Sequence, residues 1–190
     1  VFGVGNFSLP VYSSKNNKIG AVLYFFDSHA LSPNIKYGKY DWIKFDQIDW
    51  YRKTSDKYTA ENNGLEIPSL AFFHIALPEF KLINETTRFT GEKYESVKSS
   101  EINSGLFASL VEKKDVFGVF VGHDHEISFI GEVNDICLSY GQVTGVDAVD
   151  HSITRGGRII KIYDSKFALE SWVRTPDKDE MQYHFYYPEN

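Results

Sequence analysis

The sequence predicts a single domain of the α/β (α+β) class, a sheet layered with helices. Its 190 residues are enough to bury one sizeable core and do not ask for two. Apolar runs of strand length recur along the chain, and two segments between them carry apolar residues near helical spacing. Their order is strand, helix, strand and then a succession of strands, which is the pattern of a sheet covered by helices.

Residues 5–11 and 20–26 ("GAVLYFF") read as strands joined by the polar turn "SSKNNK", a hairpin. Over residues 40–58, Ile43, Gln47, Ile48, Trp50 and Tyr51 recur near helical spacing, and Asp46 stands where a cap is expected. The loop "ENNGLEIPS" feeds "LAFFHIALPE", a short apolar strand that ends in His74 and a proline-bearing turn. Residues 81–101 are polar and without period, a loop long enough to suggest function. A second helix starts near Asn103 or Ser104 and carries Leu106, Phe107, Leu110 and Val111 on one face. "KKD" closes it, and the apolar strand "VFGVFVG" follows. Residues 136–140, the turn "GQVTG", a polar loop through His151 and the strands "GRIIKIY" and "FALESWVR" complete the domain, 1–175; residues 176–190 read as a polar and aromatic tail.

Composition excludes several function classes. A net charge of −6 with scattered Lys and Arg offers no footprint for nucleic acid. No run approaches the ~18 apolar residues of a spanning helix. The single cysteine, Cys137, sits in the apolar run "DICLSY" and reads as a buried, inert thiol. The opening "VFGVGNFSLPV" looks like a strand already inside a fold, which suggests part of something longer.

The chemistry-bearing residues cluster at strand exits. His74 follows "LAFF", and His123 follows "FGVFVG". Neighbouring parallel strands bring their carboxyl ends into one crevice, so two such histidines can converge although they are distant in sequence. In "GHDH" an extended backbone would turn His123 and His125 to one face, roughly 6.8 Å apart, with Asp124 on the other. Two co-facing imidazoles suit a metal ion, because burying both without one is costly. Alone, His74 reads rather as a core or surface histidine bonded to backbone. Glu79, Asp124 and Glu126 are candidate carboxylates, with Asp124 supporting the imidazoles from behind or lying at the surface. Asp27-Ser28-His29 has a metal-like Asp-x-His spacing, against which stands a turn whose Asp and Ser satisfy the backbone. His151 and His184 read as solvated, and "RGGR" at 155–158 as a turn into a strand.

"FFHIALPE", "NSGLFASLVEKKDVFGVFVGHDH" and "LSYGQVTG" resemble the C-terminal half of the calcineurin-like metallophosphoesterases, in the branch similar to plant purple acid phosphatase 29 and related fungal and bacterial phosphohydrolases. "LYFFDS" and "YDWIKFDQIDWY" resemble it too, so the likeness runs from about residue 5 to residue 173. It implies part of a four-layer αββα sandwich with mixed sheets, and a phosphohydrolase working through two metal ions, with iron, zinc and manganese as candidates. His74 corresponds to the family's lone histidine, and His123 and His125 to its terminal Gly-His-x-His. The resemblance implies that His74 and His123 serve one metal and His125 the other.

The remaining family blocks, Asp-x-His, Gly-Asp-x-x-Asp and Gly-Asn-His-Asp/Glu, are absent. Asp27-Ser28-His29 stands where the branch has Asp-Ser-Gly, and Gly5-Asn6-Phe7 is not Gly-Asn-His. Three neutral imidazoles without a bridging carboxylate hold at most one ion, weakly. The expectation is therefore a phosphoesterase in the full-length parent, acting on a phosphomonoester, phosphodiester or phosphoprotein, with this chain inactive alone. The alternative is a non-catalytic binding or scaffold module. A missing half would also leave an apolar face for a partner or a second copy to cover. Relatives of this type lean towards a periplasmic or secreted setting.

Overall fold

The computed structural model describes residues 1–84, 89–145 and 153–186. The chain opens with the antiparallel hairpin β1 (Phe7–Tyr12) and β2 (Ile19–Phe25), crosses through α1 (Phe45–Glu61) and enters β3 (Ser69–Phe72). It continues through β4 (Phe89–Lys93), α2 (Leu106–Lys113), β5 (Val116–Val121), β6 (Ile127–Val133) and β7 (Ile136–Tyr140). The order β1-β2-β3-β5-β7-β6-β4 makes one seven-stranded mixed sheet. Its centre, β2, β3, β5 and β7, is parallel: α1 and α2 lie in the crossovers from β2 to β3 and from β3 to β5, and the antiparallel strand β6 carries the chain from β5 to β7. The last strands, β8 (Gly157–Ile162), β9 (Ala168–Arg174) and β10 (Asp179–Tyr186), form a three-stranded antiparallel sheet.

The two faces of the large sheet are buried by different partners. Ile48 and Tyr51 of α1, with Leu106, Phe107 and Leu110 of α2, pack on Val22, Tyr24, Ala71, Val119, Val121 and Leu138. On the opposite face Leu70, Phe117, Phe120, Ile130 and Cys137 meet Leu169, Tyr183 and Phe185 of the small sheet. Gly118 allows that close approach, since a Cβ there would stand 2.8 Å from Leu70 Cδ2 and 3.4 Å from Leu169 Cδ2. Every residue of β5 is buried, as expected of a central strand covered on both faces. The layering is helices, mixed sheet, second sheet, so three layers of the expected sandwich lie among the described residues.

A carboxylate ties the helical layer to the sheet. Asp115, just before β5, accepts the Tyr51 hydroxyl at 2.5 Å, the Tyr24 hydroxyl at 3.1 Å and the Val116 N–H at 2.9 Å. Burial pushes its pKa up, against the opposing pull of those donors. Cys137 is buried in β7 as expected, and burial drives its thiol pKa upward, which disfavours the reactive thiolate.

Several local expectations need correction. α1 starts after Lys44, and its cap is not Asp46: the Gln47 side chain accepts the Lys44 N–H at 2.7 Å, while Asp46 lies in the first turn and accepts the Phe2 N–H at 2.6 Å. α2 starts later than Asn103 or Ser104, because Gly105 in a left-handed conformation makes the entry. Asn103 instead accepts the Gly105 N–H at 3.0 Å. The segment read as a periodless loop takes in the end of a 3₁₀ turn (Pro78–Leu82) and the edge strand β4, whose half-buried residues give no alternation to read. Likewise β10 falls in the segment read as a tail, with Tyr183 and Phe185 buried and Gln182 and His184 exposed between them. His151 lies outside the described residues.

Edge strand β1 leaves apolar surface open: Phe7 is 48%, Leu9 50% and Val11 36% exposed. Phe7 begins a stacked aromatic row through Phe25, Phe72 and Phe120, with centroid spacings of 4.5, 5.2 and 5.4 Å. The row runs from the open edge to the side chain of Phe120, already covered by the small sheet. Among the described residues no helix is long and apolar enough to cross a membrane.

Candidate metal centre

β3 and β5 are parallel neighbours in register, Phe72 opposite Phe120. Their pairing continues past the strand ends through Phe73 N–H to Phe120 O at 3.2 Å and Gly122 N–H to His74 O at 3.0 Å. His74 and His123 therefore leave the sheet side by side. Gly122 packs beside the His74 ring, where a Cβ would make an ordinary van der Waals contact, 3.4 Å from His74 Nδ1. His74 Nε2 and His123 Nδ1 stand 3.2 Å apart, with the rings 82° to one another and their centroids at 5.1 Å. The convergence expected from the two strand exits is present.

The pair is fixed from both sides. Ser28 Oγ, at the end of β2, accepts the N–H groups of His74 at 3.1 Å and Ile75 at 2.9 Å. Tyr40 packs edge-on to the His123 ring with centroids at 4.7 Å. His123 adopts a left-handed backbone with φ of 75°. Burial lowers its pKa, opposed by Asp124 and assisted by His74, which favours the neutral ring. Among the described residues, His123 Nε2 is buried without a hydrogen-bond partner.

These nitrogens fit a cation. With metal–nitrogen bonds of ~2.1 Å, two donors 3.2 Å apart subtend an angle of roughly 100° at the ion, between the octahedral and tetrahedral values. The fit is that of half a coordination sphere. Among the described residues no group of three His, Cys, Asp or Glu side chains is placed to hold an ion.

The co-facing arrangement of His123 and His125 is not found. The chain leaves extended geometry after Val121, Asp124 N–H turns back to Gly122 O at 3.0 Å, and His125 lies exposed in the following turn. The left-handed residue breaks the alternation on which that expectation rested. Asp124 does sit behind the imidazoles, and it is buried. Glu79 is engaged elsewhere, accepting Asn103 Nδ2 at 2.7 Å. The main chain of Glu126 donates to Glu95 Oε1 at 3.0 Å.

Asp27-Ser28-His29 takes the backbone-satisfying form. Asp27 accepts the N–H groups of Val4 at 2.8 Å and His29 at 2.8 Å, and His29 Nε2 meets Gln47 Oε1 at 2.8 Å. Arg158 of "RGGR" is spent on the Tyr140 carbonyl at 2.6 Å. Sequence reasoning missed Tyr40, Glu95, Lys98 and Tyr140. Only Tyr140 carried a signal, as the last residue of an apolar strand immediately before a glycine, the same situation as Val121.

No family model matches the sequence. The chain is 34% identical to the "Probable inactive purple acid phosphatase 29" of Arabidopsis thaliana, an alignment covering 93% of this chain and 50% of that protein. It is 38% identical to the "Probable inactive purple acid phosphatase 14" of the same plant, covering 93% and 49%. To the "Phosphatase DCR2" of Saccharomyces cerevisiae it is 36% identical, over 72% of this chain and 23% of that one. The chain thus spans about half the length of the plant relatives. Among solved structures, a dimetal phosphatase from Danio rerio superposes with a TM-score of 0.60 at 10% identity, covering 96% of this chain and 61% of the other. That likeness shows the fold.

Proposed function

We propose that this chain, similar over 93% of its length to purple acid phosphatase-like proteins and folded like a dimetal phosphatase, carries the C-terminal half of a metallophosphoesterase and contributes one side of a dinuclear metal centre that hydrolyses a phosphate ester. The observation that carries the reading is the His74–His123 pair, two imidazole nitrogens 3.2 Å apart at the exits of adjacent parallel strands. In this reading His74 and His123 hold one ion, and His125, exposed in the next turn, contributes to the second. A metal pair of this kind neutralises the transferring phosphoryl group and activates water. This chain's own part is to present the histidines from the sheet, favour the neutral form of His123 by burial and pack its ring edge-on against Tyr40.

The bridging carboxylate and remaining ligands belong to the portion of the relatives' length that this chain does not span, and the open face of β1 is where that portion packs. The chain alone is then a weak binder of one ion and turns over little or no substrate, whether monoester, diester or phosphoprotein. Hydrolysis of an aryl phosphate with added manganese, zinc or iron tests this. Negligible turnover is expected, with binding of one zinc ion abolished by His74→Ala or His123→Ala. Robust turnover that disappears in His123→Ala would overturn the split-site reading.

A second reading has its own support. Two of the similar plant proteins are named as probable inactive phosphatases, which favours a fold half kept for binding. Zinc binding unaffected by either histidine substitution would favour that module.

A further inference from the structure

The loop that carries His123 is anchored from below by one carboxylate. Asp124 Oδ2 accepts the Tyr140 hydroxyl at 2.7 Å and the Lys98 N–H at 3.0 Å, while Lys98 Nζ stands 3.3 Å from Oδ1. The side chain is fully buried, and Tyr140 is buried in the adjacent strand β7. A second tie runs parallel to it: Glu95 accepts the Glu126 N–H and also the Lys98 ammonium. Residues 95–98 therefore clasp the histidine loop on both sides of His125, without touching either imidazole of the pair.

The clasp matters because the loop needs holding. A left-handed φ at a residue with a Cβ is unfavourable, and His123 adopts one at 75°. That conformation turns Nδ1 towards His74. The next residue drives its carboxylate into the protein, where it finds two donors and a cation. A free loop would relax to the extended form that places His123 and His125 on one face and separates His123 from His74.

We propose that Asp124, gripped by Tyr140 and Lys98, is the positioning residue that fixes His123 against His74. This rests on the reading of His123 as a metal ligand. It assigns Tyr140 and Lys98 a role in the centre although neither would touch an ion.

The test uses the 190-residue chain with labelled histidines. Two-dimensional NMR of the wild type should show a cross-relaxation peak between the His74 and His123 rings. Asp124→Ala and Tyr140→Phe should lose or weaken that peak and reduce zinc affinity by about tenfold or more, as loss of a supporting partner does. Asp124→Asn, which keeps an oxygen acceptor for Tyr140 and the Lys98 N–H, should restore most of both. An Asp124→Ala protein that folds with the ring contact and zinc affinity of the wild type overturns the proposal. Should that variant fail to fold, Tyr140→Phe decides, and an unchanged ring contact there is equally fatal. A wild type that binds no zinc, yet whose ring contact responds to both substitutions, would sink the metal reading and leave the positioning role standing.

Discussion

Ser28→Ala separates a structural use of Asp27-Ser28-His29 from a metal-binding one. The Ser28 hydroxyl oxygen is the acceptor for two main-chain donors, His74 N–H at 3.1 Å and Ile75 N–H at 2.9 Å. A buried donor left without a partner costs ~1–3 kcal/mol. Ile75 is buried and takes that cost, whereas His74 is exposed enough for water to replace the bond. The net loss should be about 2 kcal/mol, and for a chain of this size that lowers the melting temperature by roughly 4–8 °C. Thermal unfolding followed by circular dichroism reads it directly. The same substitution frees the strand exit that carries His74, so zinc affinity should fall with stability. Asp27→Asn should leave zinc affinity unchanged, because that carboxylate serves the Val4 and His29 N–H groups. A melting temperature within 1 °C of wild type (~0.3–0.5 kcal/mol at this size) for Ser28→Ala, or a loss of zinc binding in Asp27→Asn, would refute this account.

Asp115 carries a pH signature whose sign follows from its burial. Its folded pKa is raised, so its contribution to stability is complete below the unfolded value and is lost as pH climbs through the folded one. Urea denaturation at pH 4 and pH 7 should show Asp115→Asn gaining on the wild type as pH rises; the opposite trend would mean that Tyr51, Tyr24 and Val116 outweigh desolvation. Gly91 has φ of 126°, and a Cβ there would stand 2.0 Å from Ser128 O, so Gly91→Ala should detach β4 from β6. Hydrogen exchange should then accelerate across Phe89–Lys93, and unchanged protection would show that β4 accommodates the added methyl against the β6 backbone.

The fold was legible where a residue's neighbours are its own sheet. The run of β5 is apolar at nearly every position because both faces are covered, and α2 announces itself through Leu106, Phe107 and Leu110. β4 and β10 were not legible, because edge strands bury only part of their surface and the decision to pair lies in β6 and β9. The site divides in the same way. His74 and His123 could be paired because parallel strands in register carry their exits together. The position of His125 could not, since it turns on one left-handed residue that the sequence "GHDH" does not advertise.

On the proposed split-site reading, the weak ion binding expected of a sheet that positions two imidazoles so closely follows from the carboxylates around them. Asp27 is committed to two backbone N–H groups, Asp124 to Tyr140 and Lys98, Glu95 to Glu126 N–H and Lys98, and Glu79 to Asn103. Asp124 and Glu95 hold the loop that presents His123, and moving either onto a cation would release it. Hard divalent ions bind through anionic oxygen, and a nitrogen-only half-sphere leaves their charge to water. On that split-site reading, the negative charge that holds a metal pair comes from residues outside this set. Adding a metal to this chain should accordingly raise its melting temperature only slightly, whereas a protein that also carries the complementary half should show a large metal-dependent rise, by the mass-action stabilisation of a tightly bound ligand. Equal shifts in the two would show that this sheet holds its ion unaided.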